Sequence, residues 1–252
     1  MRFASLGSGS KGNATLIRKH ATCVLVDNGF SVKETEVRLA RLGVEAAQLT
    51  AILVTHEHGD HIRGVGPLAR KYGIPVWTTR GTASHVGLGE LPVLQHIDVH
   101  QPLELGDIEV QPFPVPHDAR EPCQFAFGDG ARRLGILTDT GSITTHIVEQ
   151  LSGCDALMLE CNHDTTMLMN GAYPESLKAR VGGRFGHLSN QQAAELLAQL
   201  DTRQLQHLVA AHLSEQNNTP ELACCTLSDI LNCTPDWITV AQQDTGLDWR
   251  DI

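Results

Sequence analysis

Residues 55–61 read THEHGDH and directly follow a short apolar run, AILV, that is typical of a buried strand. His56 and His58 alternate with one other residue, so an extended backbone directs both imidazoles to the same side. Asp60 and His61 add a carboxylate and a third imidazole. Such groups suit zinc, manganese or iron, and this loop alone holds more of them than one ion needs. The stretch therefore predicts two adjacent ions, the first two histidines on one and Asp60 and His61 on the other; the alternative is a solvated polar loop with incidental histidines.

Three more residues with metal-binding side chains stand where predicted strands end. They are His117, Asp139 and His212. Each of them alone is compatible with an ordinary core or surface position. Together with the loop they complete two metal sites, and water held between two such ions has a lowered pKa. The sequence thus predicts a metal-bound hydroxide that acts as a nucleophile near neutral pH.

The composition of the 252 residues predicts a cytoplasmic globular protein. Hydrophobic residues make up 41% of the chain, enough for a sizeable core. There is no apolar leader segment and no apolar run of membrane-spanning length, so no membrane partner is expected. Seven cysteines without C-x-x-C spacing favour reduced thiols over disulfides or a zinc knuckle. A net charge of −10 argues against broad attraction to nucleic acid but leaves room for a local basic patch.

Strand and helix patterns alternate along most of the chain. Strands are predicted at residues 3–6, 15–18, 22–26, 51–55, 75–78, 108–115, 123–127, 132–138, 155–160, 207–211 and 237–241. Helices are predicted at residues 32–42, 62–72 and 144–151, from the capping pattern at 189 to 200, and from Thr219-Pro220 onwards. This order predicts an α/β fold of two sheets with helices outside, in a single domain spanning residues 1–252.

A glycine pattern near the amino terminus resembles a nucleotide-binding fingerprint. Gly7, Gly9 and Gly12 spell G-x-G-x-x-G, and Asp27 lies where that fingerprint keeps its ribose-binding acid. A true fingerprint opens a helix, whereas here the β-type stretch ATLIR follows. The glycines therefore predict a tight turn between the first two strands, whose backbone amides remain candidates for contact with a substrate phosphate.

The run HEHGDH, followed in order by His117, Asp139 and His212, resembles the metallo-β-lactamase superfamily over essentially the whole chain. The resemblance implies a four-layer αββα sandwich, two mixed sheets with helices on the outer faces, and two divalent transition-metal ions, zinc or manganese with iron as a third option. If the ligand pattern of that superfamily is transferred to this sequence, the first metal would be held by His56, His58 and His117. The second would be held by Asp60, His61 and His212, with Asp139 bridging the two. Asp27, which closes the strand CVLVD, matches an acid that supports the metal loop without binding metal.

Longer segments, SLGSGSKGNATLI, THEHGDHIRGV, LECNHD, GHLSN and HLSEQNNTPEL, resemble the YycJ/WalJ-like branch of that superfamily, which implies DNA exonuclease activity. Glu160 and His187 match a proton-delivering pair of the related tRNA-processing endonucleases. Phosphodiester cleavage needs an acid near the leaving oxygen, and a carboxylate can orient and charge an imidazole. Asp60, Glu160 and His187 are therefore the catalytic candidates; the alternatives are an ordinary strand-end acid for Glu160 and helix-entry chemistry for His187.

A cluster of basic residues just before His187 predicts contacts with a phosphate backbone, although a solvated charged face is an equally good alternative. Asn162 and His163 follow closely after Glu160. They either bind phosphate or brace their loop. The full set of candidate phosphate or substrate contacts is Lys11, Asn13, Asn162, His163, Lys178, Arg180 and Arg184.

These features predict a dinuclear metal-dependent phosphodiesterase, and the resemblance implies that it acts on nucleic acid, DNA in particular, as an exonuclease. The alternatives are a thioester or lactam hydrolase of the same fold, an RNA-processing nuclease, and a metal-stabilised regulatory or binding module. The acid pair favours phosphodiester cleavage, because thioester and lactam enzymes of this architecture do not need it. The chain also lacks an obvious inserted substrate-clamping domain.

Overall fold

The computed structural model describes residues 1–252 and contains two seven-stranded sheets. The strands of the first sheet are β1 (Arg2–Gly7), β2 (Ala14–Lys19), β3 (Thr22–Val26), β4 (Ala51–Leu53), β5 (Val76–Thr78), β6 (Leu94–His96) and β14 (Leu247–Asp251). Their order across the sheet is β14-β1-β2-β3-β4-β5-β6. The strands from β3 to β6 run parallel, and β14, β1, β2 and β3 pair antiparallel. The sheet is therefore mixed, as predicted.

The second sheet has the same mixed character. Its strands are β7 (Leu103–Leu105), β8 (Ile108–Pro114), β9 (Cys123–Gly128), β10 (Arg133–Leu137), β11 (Ala156–Glu160), β12 (His207–Ala211) and β13 (Thr239–Val240), which lie side by side in the order β13 to β7. The strands from β7 to β10 pair antiparallel, and those from β10 to β13 run parallel. Parallel strands that are covered on both faces carry continuous apolar runs, which explains why their sequences were easy to predict.

The structure contains nine α-helices. They are α1 (Val32–Arg41), α2 (Gly59–Ile62), α3 (Val65–Tyr72), α4 (Arg80–Ala83), α5 (Thr145–Leu151), α6 (Thr165–Asn170), α7 (Glu175–Val181), α8 (Asn190–Leu197) and α9 (Pro220–Leu231). One apolar cluster lies between the sheets, a second joins α1 and α3 to the first sheet, and a third joins α5, α8 and α9 to the second. These layers confirm the predicted αββα sandwich. No helix is long and apolar enough to cross a membrane.

Most predicted elements differ from the observed ones by one to three residues at an end, and two of these differences have a clear physical cause. The helix predicted at 62–72 is wrong in extent: Gly64 separates α2 from α3, because its backbone N–H donates to the carbonyl of Asn28 instead of to a helical carbonyl. The strand predicted at 237–241 is also wrong in extent. Since Pro235 begins a turn of 3₁₀ helix, only the two residues of β13 pair with the sheet, and β14 follows as the true last strand.

Candidate metal centre

The predicted metal ligands meet where the ends of strands from both sheets face each other. His56 follows β4, His117 follows β8, Asp139 follows β10 and His212 follows β12. Three residues at such ends have a left-handed backbone, with φ of 59° at Asp27, 54° at Asp139 and 55° at His212. This conformation is uncommon outside glycine, although Asp and His are among the residues that adopt it most readily. The left-handed residues turn the chain abruptly at the edge of each sheet.

The ligand atoms of the cluster form overlapping groups whose members lie within 4.8 Å of one another. The groups are His56, His58 and His117; His56, His61 and Asp139; and Asp60, His61 and His212. The structure thus brings all seven predicted ligands together. Asp139 also belongs to a fourth group, with Glu160, His187 and His212, so it contacts both halves of the cluster.

The ring nitrogens of His58 and His117 show how the imidazoles are oriented. His58 Nε2 donates to the carbonyl of Asp118 at 3.2 Å, and His117 Nδ1 donates to the carbonyl of Gly186 at 3.0 Å. Because a neutral imidazole has one N–H group, the other nitrogen of each ring carries a lone pair. These two nitrogens, His58 Nδ1 and His117 Nε2, face each other at 3.2 Å. Facing lone pairs repel unless a cation lies between them. A hydrogen bond on the outer nitrogen is also the usual way in which proteins orient a metal-binding imidazole.

Asp27 orients the other side of the cluster through Thr55 and His61. Its carboxylate accepts the backbone N–H of Thr55 at 2.9 Å, the hydroxyl of Thr55 at 2.8 Å and Nδ1 of His61 at 2.8 Å. Since the hydroxyl proton goes to Asp27, Thr55 Oγ1 accepts from His56 Nδ1 at 2.9 Å. One buried carboxylate therefore fixes the tautomers of two histidines and leaves their Nε2 lone pairs directed into the cluster.

Several buried polar atoms of the cluster have no partner within the protein. They are His56 Nε2, Asp139 Oδ2 and His212 Nε2. An unsatisfied buried polar atom costs about 1–3 kcal/mol, so proteins rarely keep three of them together without a ligand. A divalent cation supplies the missing partner, and a set of imidazole nitrogens and carboxylate oxygens suits zinc, manganese or iron. The residues present fit the transition metals that the sequence predicts.

Glu160, at the end of β11, is fully buried and accepts five hydrogen bonds. The donors are the backbone N–H groups of Asp139, Thr140 and Leu188 and the Nδ1 atoms of His187 and His212, all between 2.9 and 3.2 Å. Burial alone would raise the pKa of Glu160, but His187 and the hydrogen bonds from His187 and His212 lower it to about 2. The carboxylate is therefore ionised and orients a predicted ligand and a predicted acid together.

His187 is hydrogen-bonded to Glu160 and lines the cleft above the cluster. Its Nδ1 atom is 2.9 Å from Glu160 and 3.6 Å from Asp139. Burial by itself lowers the pKa of His187, but the ionised Glu160 raises it above its ordinary value. Burial likewise disfavours the charge on Asp139, and the surrounding His212 and His61 hold the pKa of that carboxyl well below its usual range.

A cleft of about 350 Å³ opens over the cluster. That volume lies at the lower end of the range for small-ligand pockets. Of the seven predicted substrate contacts, only Asn162 and Arg180 line the cleft, and the side chain of Asn162 donates to the carbonyl of His212 at 3.1 Å. His163 and Lys178 line a separate groove, and the side chain of Arg184 lies on the exposed surface.

Sequence reasoning missed Asp118 and Tyr173, which both line the cleft. Asp118 Oδ2 accepts Nε of Arg180 at 2.6 Å, so it holds that guanidinium over the cluster. Asp118 directly follows His117, and a charged residue beside a predicted ligand was the available signal. Tyr173 had no such signal, because it precedes a short helix that the sequence does not predict.

The glycine pattern forms the turn between β1 and β2, as predicted. The loop contributes less to the cleft than expected, because its amides are already engaged: Gly9 N–H donates to Asn13 Oδ1, Lys11 N–H to Gln243, and Gly12 N–H to Gly9. Asn13 is buried, and its own N–H donates to the carbonyl of Asp60 at 2.8 Å. Lys11 points outward and pairs with Glu215 at 2.7 Å. The loop therefore braces the metal-binding loop from behind.

Known proteins share both the sequence and the fold. A family model described as a beta-lactamase superfamily domain matches residues 22–212. The chain is 40% identical over 235 residues to exodeoxyribonuclease YycJ of Bacillus anthracis, and this alignment covers 92% of this chain and 89% of that protein. It is 34% identical over 252 residues to exodeoxyribonuclease WalJ of Streptococcus pneumoniae, and that alignment covers 98% of this chain and 90% of that protein.

Among solved structures, zinc-bound PqqB from Methylobacterium extorquens superposes over the whole of both chains, with a TM-score of 0.75 and 17% identity. At that identity the likeness concerns the fold alone. It agrees with the two-sheet arrangement described above.

Proposed function

The chain belongs to the YycJ/WalJ-like branch of the metallo-β-lactamase superfamily, and on that premise we propose that it is a metal-dependent phosphodiesterase that degrades nucleic acid. DNA is the favoured substrate and cleavage proceeds from an end, because the relatives that match nearly the whole chain are named exodeoxyribonucleases. The structural observation that carries the proposal is the acid pair beside the cluster, with His187 at 2.9 Å from Glu160 and 3.6 Å from Asp139.

The proposed cofactors are two divalent transition-metal ions, zinc or manganese, with iron as a third option. The first would be held by His56, His58 and His117 and the second by Asp60, His61 and His212, with Asp139 as a ligand available to both. When bound, such ions supply Lewis-acid charge that lowers the pKa of water and offsets the charge of a phosphate. The overlapping ligand groups and the unpartnered buried atoms support this assignment.

Three residues of the chain act directly on the reacting groups or position those that do. Asp60 lines the cleft and is more exposed than Asp139, so its carboxylate can orient the attacking water. His187 gives a proton to the leaving oxygen of the phosphodiester. Glu160 has no exposed surface, so it is a positioning residue: it accepts from Nδ1 of His187 and leaves the opposite nitrogen facing the cleft.

We also propose that residues 1–252 act as one domain, with Arg180 and Asn162 as the contacts to substrate. One apolar cluster contains side chains from both sheets, among them Phe3, Phe125 and Met158, which supports a single folding unit. The position of Arg180 and Asn162 in the cleft supports the contacts.

A time course on end-labelled single- and double-stranded DNA and RNA, with zinc and manganese compared, tests the proposal. We expect the wild-type protein to release nucleotides progressively from DNA and to carry close to two ions per chain by elemental analysis. Asp139→Asn changes a carboxylate that lies with His56 of the first proposed ligand set and His61 of the second, so it should abolish hydrolysis while the circular dichroism spectrum is preserved. Asp248→Asn, an exposed position on β14, is the matched control and should retain full activity.

Each contrary outcome has its own meaning. Turnover of a thioester or a lactam without cleavage of any polymer contradicts the phosphodiesterase assignment. Cleavage of RNA alone contradicts the preference for DNA. Retained hydrolysis by Asp139→Asn contradicts the bridging role, and elemental analysis that finds no metal after gentle purification contradicts the site.

A further inference from the structure

One wall of the cleft differs in character from the others. Three lining side chains carry mainly apolar surface, and all three come from a single stretch that includes α7: Tyr173, Leu177 and Val181. Leu177 and Val181 are four residues apart on α7 and therefore lie on the same face of that helix, and Tyr173, just before the helix, lines the same cleft. The opposite wall is made of cluster residues such as Asp60 and His212. The cleft thus has a charged side and an apolar side.

The stretch that includes α7 and the loop after it is connected to the metal-binding side of the molecule at three points. Asp118 N–H donates to the carbonyl of Phe185 at 2.9 Å, and Ser142 Oγ donates to the carbonyl of Arg184 at 2.8 Å. The Asp118–Arg180 ion pair adds a third connection. A wall held in this way is a preformed surface, and a preformed surface binds a ligand at a low entropic cost.

Polar groups on the same wall remain available to a ligand. Arg180 uses only Nε to reach Asp118, and its two terminal nitrogens make no hydrogen bond in the protein. The half-buried ring of Tyr173 lines the cleft, and its hydroxyl makes no hydrogen bond either. A planar aromatic ring, in the same cleft as a guanidinium that has two unengaged nitrogens, suits a ligand that combines a flat apolar group with a phosphate, and a nucleotide is such a ligand.

We propose that Tyr173 and Leu177 form a stacking platform for the base of the nucleotide next to the scissile phosphate, while Arg180 contacts the phosphate backbone. This inference rests on the proposed nuclease function and adds the subsite that takes the base. Stacking uses the face of a base, so the platform binds all four bases and gives little sequence preference. A base on this platform cannot remain stacked in a duplex, so an unpaired end is the preferred substrate.

Kinetics with two matched single-stranded oligonucleotides test the platform. One has ordinary nucleotides throughout, and the other carries an abasic tetrahydrofuran nucleotide at one end. Two versions of the second oligonucleotide are made, one abasic at the 5′ end and one abasic at the 3′ end. Tyr173→Ala should raise KM for the ordinary oligonucleotide by about 5- to 150-fold, which corresponds to the 1–3 kcal/mol typical of base–aromatic stacking, and should leave kcat largely unchanged. For the abasic end, the wild-type protein and Tyr173→Ala should have the same KM.

Two variants control for indirect effects. Tyr173→Phe keeps the aromatic ring, so it should retain the preference for an ordinary end over an abasic end that Tyr173→Ala loses. Phe185→Ala removes a 57% exposed aromatic side chain of the same stretch that does not line the cleft, so it should keep the preference for a base. A Tyr173→Ala protein that discriminates against the abasic end as strongly as the wild type overturns the inference.

Binding separates this inference from the proposed function. Fluorescence anisotropy with the wild-type protein measures affinity for both oligonucleotides whether or not either is cleaved. Weaker binding of the abasic end, lost in Tyr173→Ala, supports the platform even if no hydrolysis occurs. Equal binding of both oligonucleotides by the wild type contradicts it even if DNA is degraded.

Discussion

Glu160 and His187 differ in how much of the centre depends on them. Glu160 accepts from both His187 and His212, so its removal disturbs a proposed metal ligand together with the proposed acid. His187 makes its only side-chain hydrogen bond to Glu160 and lies at the edge of the cleft. A change at His187 therefore isolates the proton-transfer role, whereas a change at Glu160 does not.

We predict that His187→Ala slows DNA hydrolysis far more than it weakens metal binding. Loss of a general acid lowers kcat by about 10²- to 10⁴-fold. The loss should be much smaller for a nucleotide p-nitrophenyl ester, because a weakly basic leaving group departs without being protonated. The measurement compares kcat for both substrates with metal content by elemental analysis. His146→Ala, which changes a half-buried histidine on α5 that lies outside the cleft, is the control.

Equal losses on both substrates, or a parallel loss of metal, would remove the acid assignment. In the first case His187 acts on binding or on the attacking water, and in the second it contributes to the metal sites. The leaving-group comparison is decisive because a structural defect lowers both rates alike.

Residue types in the sequence identified the cluster but not how its members are oriented. His56, His58 and His61 share one loop, so their proximity follows from spacing. The left-handed backbone at Asp139 and His212 could not be read from the sequence, because Asp and His adopt it only where tertiary contacts impose it. The role of Asp118 could not be predicted from the sequence, because its partner, Arg180, is 62 residues away.

Among the helices, α7 decides which basic residues reach the cleft. Lys178 and Arg180 are two residues apart, and two helical residues project about 200° apart around the axis. Arg180 accordingly faces Asp118 and the cleft, while Lys178 donates to Glu175 and to the carbonyl of Met169. The basic cluster of the sequence is thus divided between two faces.

We predict that Arg180→Ala weakens binding of DNA, whereas Lys178→Ala does not. Hydrogen bonds to a charged group contribute about 1.5 kcal/mol or more, so KM should rise about 10-fold. The slope of log affinity against log salt concentration should fall by about 1, as expected when one phosphate contact is lost. Both variants change the net charge equally, so Lys178→Ala controls for long-range electrostatics.

Equal effects of the two variants on KM and on the salt dependence would mean that net charge, and not the cleft contact, controls binding. A fall in kcat with unchanged KM for Arg180→Ala would instead place the guanidinium at the transition state. Thermal unfolding of both variants should show that neither change disturbs the fold.

The long, strongly patterned elements were predictable, and the short ones were not. β3 and β12 have the predicted bounds, because each is a continuous apolar run in the interior of a sheet. The helices α6 and α7 have six and seven residues, too few to establish a helical periodicity. β6 is exposed at all three positions, so its sequence carries no strand pattern. Its place at the edge of the first sheet is decided by tertiary contacts alone.

The two sheets are also joined by polar contacts far from the metal centre. Asp129 lies in the turn between β9 and β10 of the second sheet, and its side chain is 1% exposed. Its Oδ2 atom accepts from Lys19, at the end of β2 in the first sheet, at 2.7 Å. Its Oδ1 atom accepts the backbone N–H groups of Ala131 and Arg132. One carboxylate therefore closes the hairpin turn and connects the sheets.

We predict that Asp129→Asn destabilises the protein at pH 7 and that this difference disappears in acid. Burial opposes the charge on Asp129, but the hydrogen bonds from Lys19 and from the backbone of Arg132 and Ala131 lower its pKa below the ordinary value of about 3.9. A carboxyl whose pKa is lowered in the folded state stabilises that state fully above its unfolded pKa and loses the contribution as the pH falls through the folded pKa. The Tm of the variant should be about 2–4 °C lower at pH 7, for a loss of order 1 kcal/mol in a chain of this size. The gap in Tm should be constant above about pH 5 and should narrow steadily below about pH 4.

Metal ligands titrate over the same range in both proteins, so thermal unfolding of the two proteins side by side, each freed of metal by a chelator, isolates the contribution of Asp129. A gap that stays constant down to pH 3, or widens there, would show that Asp129 stabilises the junction of the sheets by packing and not by its charge.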